Sequence, residues 1–283
     1  MSKNPPIIIA GMHRSGTSLV TNILSKSGLV VGEKLDSNNE SIFFQRINIW
    51  MMSLLGSSWD SPRSFKDIDE EIRLDIIRQL NTLISSRTNS LYFGWSSIIK
   101  KGSFNQIDVP WGWKDPRNSF TSDIWKEVFP GMKTIYIIRH PIDTAESLLR
   151  RQKNEKNRDI NRQIQYSDLI KSILSITHTN YNSSMLLNTY DNCFSLIESY
   201  YSQILANKDG DSLVIKFEDI ISNPDIEIQK MLNYCNLTPN QDEISGAINN
   251  IDKSKSYAYR KNPDLLKFES SFNQLIEDMG YSY

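Results

Sequence analysis

A parallel α/β fold is what this 283-residue sequence predicts, and three observations predict it. Short runs rich in β-branched residues recur at Pro6–Ala10, Lys133–Ile138 and Ser212–Phe217. Each is followed by a segment with apolar residues at helical spacing, and strands alternating with helices build a parallel sheet through crossover connections. The runs are compact and almost wholly apolar, as strands covered on both faces require.

The elements follow in order. The first strand passes through a glycine-bounded turn into a helix over Thr17–Leu24, which Gly28 and Gly32 close. Ser41–Leu55 reads as a helix. Asp67–Ser85 reads as an amphipathic one, with Ile68, Ile72, Ile76, Leu80 and Leu83 on one side. After the second strand, Pro141 fits the first turn of a helix over Ile142–Arg150. The polar stretch Arg150–Gln165 is a solvated helix face or surface loop, with a mobile lid as the alternative. Tyr166–Ala206 reads as helical, and Asn223–Cys235 as the helix after the third strand. The expectation is a single domain over 1–283 with helical elaborations around 41–101 and 151–207.

Composition narrows the function. The formal charge is −1, without the basic excess of a nucleic-acid binder, although a local basic pocket for a small anion is compatible with it. The N-terminal apolar run is too short for a secretory core, and no stretch approaches membrane-spanning length, so a cytoplasmic protein is expected. Cys193 and Cys235 are too few for a disulfide scaffold or a thiolate site, and His13, His140 and His178 are too scattered for metal ligation. No metal is expected. Nothing in the sequence signals an oligomeric state.

The chemistry begins at Gly11-Met12-His13-Arg14-Ser15-Gly16-Thr17-Ser18, which has the G-x-x-x-x-G spacing of a phosphate-binding loop. Two glycines let backbone N–H groups converge on one anion, and the following helix adds its positive end. The sheet is thus P-loop-like. Thr17 stands where a nucleoside triphosphatase carries the lysine that reaches the β and γ phosphates. The cation lies instead within the loop, at Arg14, an arrangement suited to a donor without a γ phosphate. The plainer alternative is a glycine turn with Arg14 on the surface.

These residues resemble the sulfotransferases that use 3′-phosphoadenylyl sulfate (PAPS), in the branch whose first motif reads G-x-x-R-S-G-T-S. The resemblance implies that Arg14 stabilises the leaving phosphate while Ser15, Gly16, Thr17 and Ser18 line it. Tyr136–Ser147 is similar to the family's 3′-phosphate motif, which implies that Arg139 and Ser147 bind that phosphate. The spacing is compatible: Arg139 ends a strand, Ser147 lies one or two helical turns beyond Pro141, and arginine offers a planar fork of donors. An Arg139–Asp143 ion pair is the competing explanation. Trp111-Gly112-Trp113-Lys114-Asp115-Pro116-Arg117 resembles a W-x-W-K-D-P-R segment of bacterial-type members, which places Lys114, Asp115 and Arg117 near the substrates. Val214–Ile220 with Asn223-Pro224 resembles the family's late strand and turn, a structural part.

The resemblance implies transfer of a sulfuryl group from PAPS to a hydroxyl or amine of a sugar, lipid or small metabolite, with 3′-phosphoadenosine 5′-phosphate (PAP) as product. In this branch N-x-x-G-x-x-E carries the usual base, but here Asn39–Gln45 places Ile42 at the glycine and Gln45 at the glutamate. An amide orients a hydroxyl and cannot take its proton. Glu40, His13 and Asp115 remain as bases, with Glu40 first and His13 second. The run 253–261, basic and aromatic, is a solvated tail or a segment folded over the 3′-phosphate. An inactive PAPS/PAP-binding module and, more distantly, a P-loop nucleotide kinase are the rival functions. Acceptor-binding segments are expected around 57–101 and 151–190.

Overall fold

The computed structural model describes residues 4–86, 88–94, 103–160, 184–238, 245–246, 248 and 251–282. Parts of the expected helical elaborations, at 95–101 and 161–183, lie outside the described residues, as does most of the first half of the predicted Tyr166–Ala206 helix. The described elements run β1 (Ile7–Gly11), α1 (Thr17–Lys26), α2 (Ile42–Ser53), α3 (Arg63–Lys66), α4 (Glu70–Ser85), α5 (Asn89–Phe93), β2 (Gly112–Lys114), α6 (Asn118–Val128), β3 (Lys133–Ile138) and α7 (Pro141–Ile160). They continue as α8 (Tyr190–Asn207), β4 (Ser212–Lys216), α9 (Phe217–Ser222), α10 (Pro224–Cys235), α11 (Pro263–Ser271) and α12 (Asn273–Asp278).

All strand pairings are parallel, in the order β2-β1-β3-β4. The chain leaves β1, adds β2 on one side, then returns to add β3 on the other. The winding reverses between β1 and β3, and open α/β sheets bind ligands outside the carboxyl ends of the strands at such a reversal. Gly11 pairs with Ile137, so the loop after β1 and the residues after β3 emerge side by side. The two phosphate-binding motifs predicted from sequence are therefore neighbours.

Side-chain alternation splits the sheet's apolar residues between two cores. Ile7, Ile9, Ile135, Ile137 and Ile215 face α1, α9 and α10, meeting Val20, Ile23, Leu24, Ile220 and Leu232. Ile8, Ala10, Tyr136 and Ile138 face a larger core built from α2, α4, α6, α7, α8 and the C-terminal helices. Trp111 and Trp113 are fully buried there, and the Trp113 ring stacks on Phe44 at a centroid distance of 3.7 Å. Among the described residues no helix is long and apolar enough to cross a membrane.

Two sequence expectations are corrected in detail, and one is resolved between its alternatives. α4 begins at Glu70, capped by Asp69, whose carboxylate accepts from Glu71 N–H at 2.8 Å. Its buried line is Ile76, Leu80 and Ile84, while Ile72 is 40% exposed, because residues spaced strictly by four drift around a helix of 3.6 residues per turn. The polar stretch after Arg150 continues α7 as helix to Ile160. Phe217, predicted in the third strand, instead opens α9.

Asn48 of α2 ties this architecture to the segment after β2. Its amide donates to Asp115 Oδ2 and Asn118 Oδ1, each at 2.9 Å, and its carbonyl accepts from Thr121 Oγ1 at 3.1 Å and Trp125 Nε1 at 2.9 Å. Every partner is buried. Asn48→Leu fills similar space without these bonds, and each buried polar group left unpaired costs about 1–3 kcal/mol. The expected loss of unfolding free energy is roughly 2–4 kcal/mol, read as a lower urea midpoint; a change under about 0.5 kcal/mol would contradict this account.

Candidate active site

The loop between β1 and α1 holds a conformation few sequences can adopt. Gly11 has φ +139°, and a Cβ there would lie 2.3 Å from the Ile137 carbonyl oxygen. Gly16 has φ +100°, and its Cβ would strike the Phe217 ring at 2.3 Å. Glycine is required at both positions. Arg14 takes the left-handed region itself, at φ +71°, a strained geometry of the kind found at binding sites. Gly16 caps α1 without a side-chain hydrogen bond, so the first-turn amides of Thr17 and Ser18 keep their donors for an external acceptor.

The second motif closes on the first. The Arg14 Nε–H donates to Ser147 Oγ at 3.0 Å. Arg139 donates to the Arg14 carbonyl at 3.1 Å and to the Lys255 carbonyl at 2.7 Å, and its guanidinium lies 4.8 Å from the Phe217 ring centroid. The Nε of Arg139 is buried without a hydrogen-bond acceptor among the described residues. The Arg139–Asp143 pair is present at a loose 3.7 Å, but Asp143 is also held by the N–H groups of Ala258 and Tyr259 at 3.2 and 2.8 Å. The C-terminal run 253–261 is thus folded against the second motif, and Lys255 reaches the cavity.

That cavity, about 270 Å³, is lined on one side by Arg14, Arg139, Arg150 and Arg151. Among the described residues no carboxylate pairs with Arg14; desolvation, then repulsion from Arg151, Arg139 and Arg150, pulls its pKa below the ordinary value. Such a cluster has the charge and donors that suit a multiply charged anion, with Glu40 and Asp252 the carboxylates among the lining. Gly16, Thr17, Ser18, Ser147 and Lys114 line it as well. Ser15 does not. Its hydroxyl is buried without a partner among the described residues, on the side of the loop away from this cavity's lining.

A second cavity, about 860 Å³, adjoins the first and shares His13, Arg14, Asn38, Glu40 and Arg151 with it. At this junction Glu40 is 3% exposed. Its carboxylate accepts from Lys114 Nζ at 3.1 Å and from Gln45 Nε2 at 2.8 Å, and lies 3.5 Å from Arg117. Burial, then the neighbouring Asp115 charge, raises the Glu40 pKa above the ordinary carboxylate range, against the pull of Lys114 and Arg117. Gln45 is therefore a donor to Glu40, and through the same nitrogen to Asp36 at 3.1 Å. A glutamate at position 45 would crowd three carboxylates together, which accounts for the amide there.

The remaining candidates separate by what they touch. Asp115 is fully buried and takes bonds from Asn48, the Arg117 N–H and the Arg117 guanidinium, so it holds Arg117 and does not line either cavity. His13 lines both cavities, with its ring 4.6 Å from Trp59 and its Nε2 buried without a partner among the described residues. Burial, then Arg117 and other arginines, drives its pKa well below 6.5, so it is neutral. Sequence reasoning missed Arg150 and Arg151, although they sit three and four residues after Ser147, the spacing that puts side chains on one helix face. It also missed the wall formed by Phe217; Ser57, Trp59 and Asp60 of the larger cavity fall in the 57–101 segment expected to bind the acceptor, without having been singled out.

Residues 5–242 match the profile of the sulfotransferase family. No curated protein matches the chain. Among solved structures it is similar to the sulfotransferase domain of the Synechococcus PCC 7002 olefin synthase, at 14% identity over 100% of this chain and 96% of that one, with a TM-score of 0.50. A sulfotransferase from Alicyclobacillus acidocaldarius is 15% identical over 99% and 97% of the two chains, with a TM-score of 0.46.

An arginine-rich cavity predicts linkage between anion binding and stability. Pyrophosphate is expected to raise the melting temperature, adding about 2.7 kcal/mol at a free concentration one hundred times its Kd. Arg14→Ala is expected to remove most of that shift without lowering the ligand-free melting temperature, because it relieves like-charge repulsion. Differential scanning calorimetry reads both; an undiminished shift in Arg14→Ala would place the anion elsewhere.

Proposed function

This chain belongs to the sulfotransferase family, and from that premise we propose that it transfers the sulfuryl group of PAPS to a hydroxyl of an acceptor held in the larger cavity. One observation carries the reading. Arg14 belongs at once to the anion cavity and to the neighbouring cavity, and its partner Ser147 and neighbour Arg139 come from the second phosphate motif. A donor with phosphate at both ends and a reactive group at one of them is what this layout accommodates.

The residues present fit such a donor. The open first turn of α1, with Thr17 and Ser18, offers N–H and hydroxyl donors to the 5′ end beside Arg14. Arg139 and Ser147, which line the same cavity, offer guanidinium and hydroxyl donors to the 3′ end. The donor supplies the activated sulfur. Everything else falls to the chain.

In the transfer, the acceptor oxygen forms a bond to sulfur as the bond from sulfur to the 5′-phosphate oxygen breaks, and PAP departs. Arg14 and the loop amides stabilise the charge that grows on the departing phosphate. Glu40 takes the proton from the acceptor hydroxyl. Its raised pKa makes it a better base than an ordinary carboxylate, and Gln45, Lys114 and Arg117 fix its orientation. Lys114 and Arg117 also stabilise the ionised form that must be present before each turnover.

Glu40→Gln keeps an acceptor for Lys114 and removes the base. The expected loss in kcat is about 10²–10⁴-fold, with PAP affinity changed by less than about threefold. The wild-type rate is expected to fall as pH drops through the raised Glu40 pKa, and this acidic limb is expected to vanish in Glu40→Gln. Transfer of labelled sulfur from PAPS across an acceptor panel checks all three; an unchanged rate and pH profile in Glu40→Gln would remove Glu40 from the mechanism.

A further inference from the structure

Between α1 and α2 the chain makes a tight turn that carries Glu40. Leu35 and Ser41 pair as an antiparallel bridge. Inside it the Asp36 N–H donates to the Glu40 carbonyl at 2.9 Å, and the Asn39 N–H to the Asp36 carbonyl at 3.1 Å. Asn39 takes the left-handed region at φ +62°, which asparagine tolerates better than most residues. The turn is also fastened to α1. Ser18 Oγ donates to the Asn38 carbonyl at 2.9 Å, and the Asn39 amide to Asn22 Oδ1 at 3.1 Å.

The two carboxylate oxygens of Asp36 have different partners. Oδ1 accepts the main-chain N–H groups of Asn38 and Glu40, each at 2.8 Å, as the short aspartate side chain commonly does in turns. Oδ2 faces the Gln45 amide nitrogen at 3.1 Å, with Asn38 Nδ2 farther off at 3.5 Å. That Gln45 nitrogen also donates to Glu40 Oε2 at 2.8 Å, while Glu40 Oε1 takes Lys114 Nζ at 3.1 Å. A primary amide has a donor end and an acceptor end, and an ionised carboxylate offers only acceptors. The carboxylate at position 36 therefore sets which end of Gln45 meets Glu40.

We propose that Asp36 is the positioning residue for Glu40, holding its main chain directly and its carboxylate through the Gln45 amide. The proposal rests on the sulfuryl-transfer reading, in which Glu40 takes the acceptor proton. Lys114 attracts the carboxylate as a compact charge on a flexible stem and fixes its direction weakly, whereas the Gln45 bond is directional. The charged groups around Glu40 are Lys114, Asp115 and Arg117 from the segment after β2, with Arg14 and Arg151 at the same cavity junction. None of them orients Gln45 in the described bonds; Asp36 does. Asp36→Asn separates this role from plain bracing of the turn. The new carbonyl keeps both main-chain bonds, but its nitrogen meets the Gln45 nitrogen donor to donor. Gln45 then turns its carbonyl toward position 36 and withdraws its N–H from Glu40.

The test uses the full chain, isotope-labelled at the glutamate side-chain carboxyl carbon and titrated by NMR with PAP bound. The Glu40 signal is the one lost in Glu40→Gln. In Asp36→Asn its midpoint is expected to move to higher pH, because the Gln45 bond that favours the charged form is gone. The melting temperature is expected within about 2 °C of wild type. The Kd for PAP is expected to change by less than about threefold, since neither Asp36 nor Gln45 lines the arginine cavity. Gln45→Met is expected to move the midpoint the same way, and the double variant no further than Gln45→Met alone, as residues acting through one bond are not additive. Turnover is read with water as the acceptor: its oxygen bonds to sulfur as the bond to the 5′-phosphate oxygen breaks, and its proton goes to Glu40. Release of labelled sulfate from PAPS is expected to slow about tenfold in Asp36→Asn. A midpoint unmoved in Asp36→Asn, or two single effects that simply add, would overturn the proposal and leave sulfuryl transfer standing. A moved midpoint with unchanged sulfate release would overturn it as well, by removing Glu40 from the step. Absence of PAP binding would overturn the sulfuryl-transfer reading, and the titration without PAP would still decide whether Asp36 places Glu40.

Discussion

Four arginines of like charge converge on one small cavity, and holding them there is the constraint around which the rest of the structure is arranged. Cations brought together out of bulk water repel one another unless something fixes them. The fixing is done by backbone. β1 and β3 are paired so that Gly11 lies beside Ile137, which delivers the loop of Arg14 and the end of the strand before Arg139 to the same point. The Arg14 carbonyl receives Arg139, and Ser147 receives Arg14. Phe217 supports both motifs, filling the space above Gly16 and lying under the Arg139 guanidinium. The late segment that resembled a structural part of the family pattern is thus a wall of the site.

Beside this basic half lies a charge-balanced one. Glu40, Asp115, Lys114 and Arg117 form a buried quartet with two charges of each sign. Buried ion pairs rarely add stability on balance, because desolvation offsets the attraction. Their use here is positional. Asp115, locked by Asn48 and the Arg117 N–H, aims Arg117 toward Glu40, and Lys114 reaches Glu40 from the other side. The arrangement leaves one carboxylate at the junction of two cavities, raised in pKa and fixed in direction. Gln45, at the position where the family pattern carries its glutamate, donates instead to this carboxylate five places earlier.

How much of this the sequence disclosed follows the range of the interactions. The glycine loop and the strand ends were legible, because φ beyond +90° at Gly11 and Gly16 and a cation within the loop are local requirements. Arg150 and Arg151 were legible in principle from their spacing to Ser147, but the polar run they begin read as solvated surface. The contact between Glu40 and Lys114 spans 74 residues, and no local pattern encodes it. Gln45 was a puzzle in the sequence for the same reason: its partner was visible, but the geometry joining them was not. Ser15 shows another limit of local pattern: spacing does not say which way a hydroxyl points, and here it is buried. Ser57 and Trp59 lie in the 57–101 stretch expected to meet the acceptor, but a turn of ordinary composition did not single them out.

The claim that both motifs serve one ligand is open to a direct measurement by isothermal titration calorimetry of PAP, 5′-AMP and 3′-AMP against the same protein. If Arg14 and Arg139 grip opposite ends of one nucleotide, PAP is expected to bind at least about tenfold more tightly than either monophosphate. If PAP binds no more tightly than 5′-AMP, the Arg139 side of the cavity contributes nothing to the donor, and the two motifs do not share a ligand.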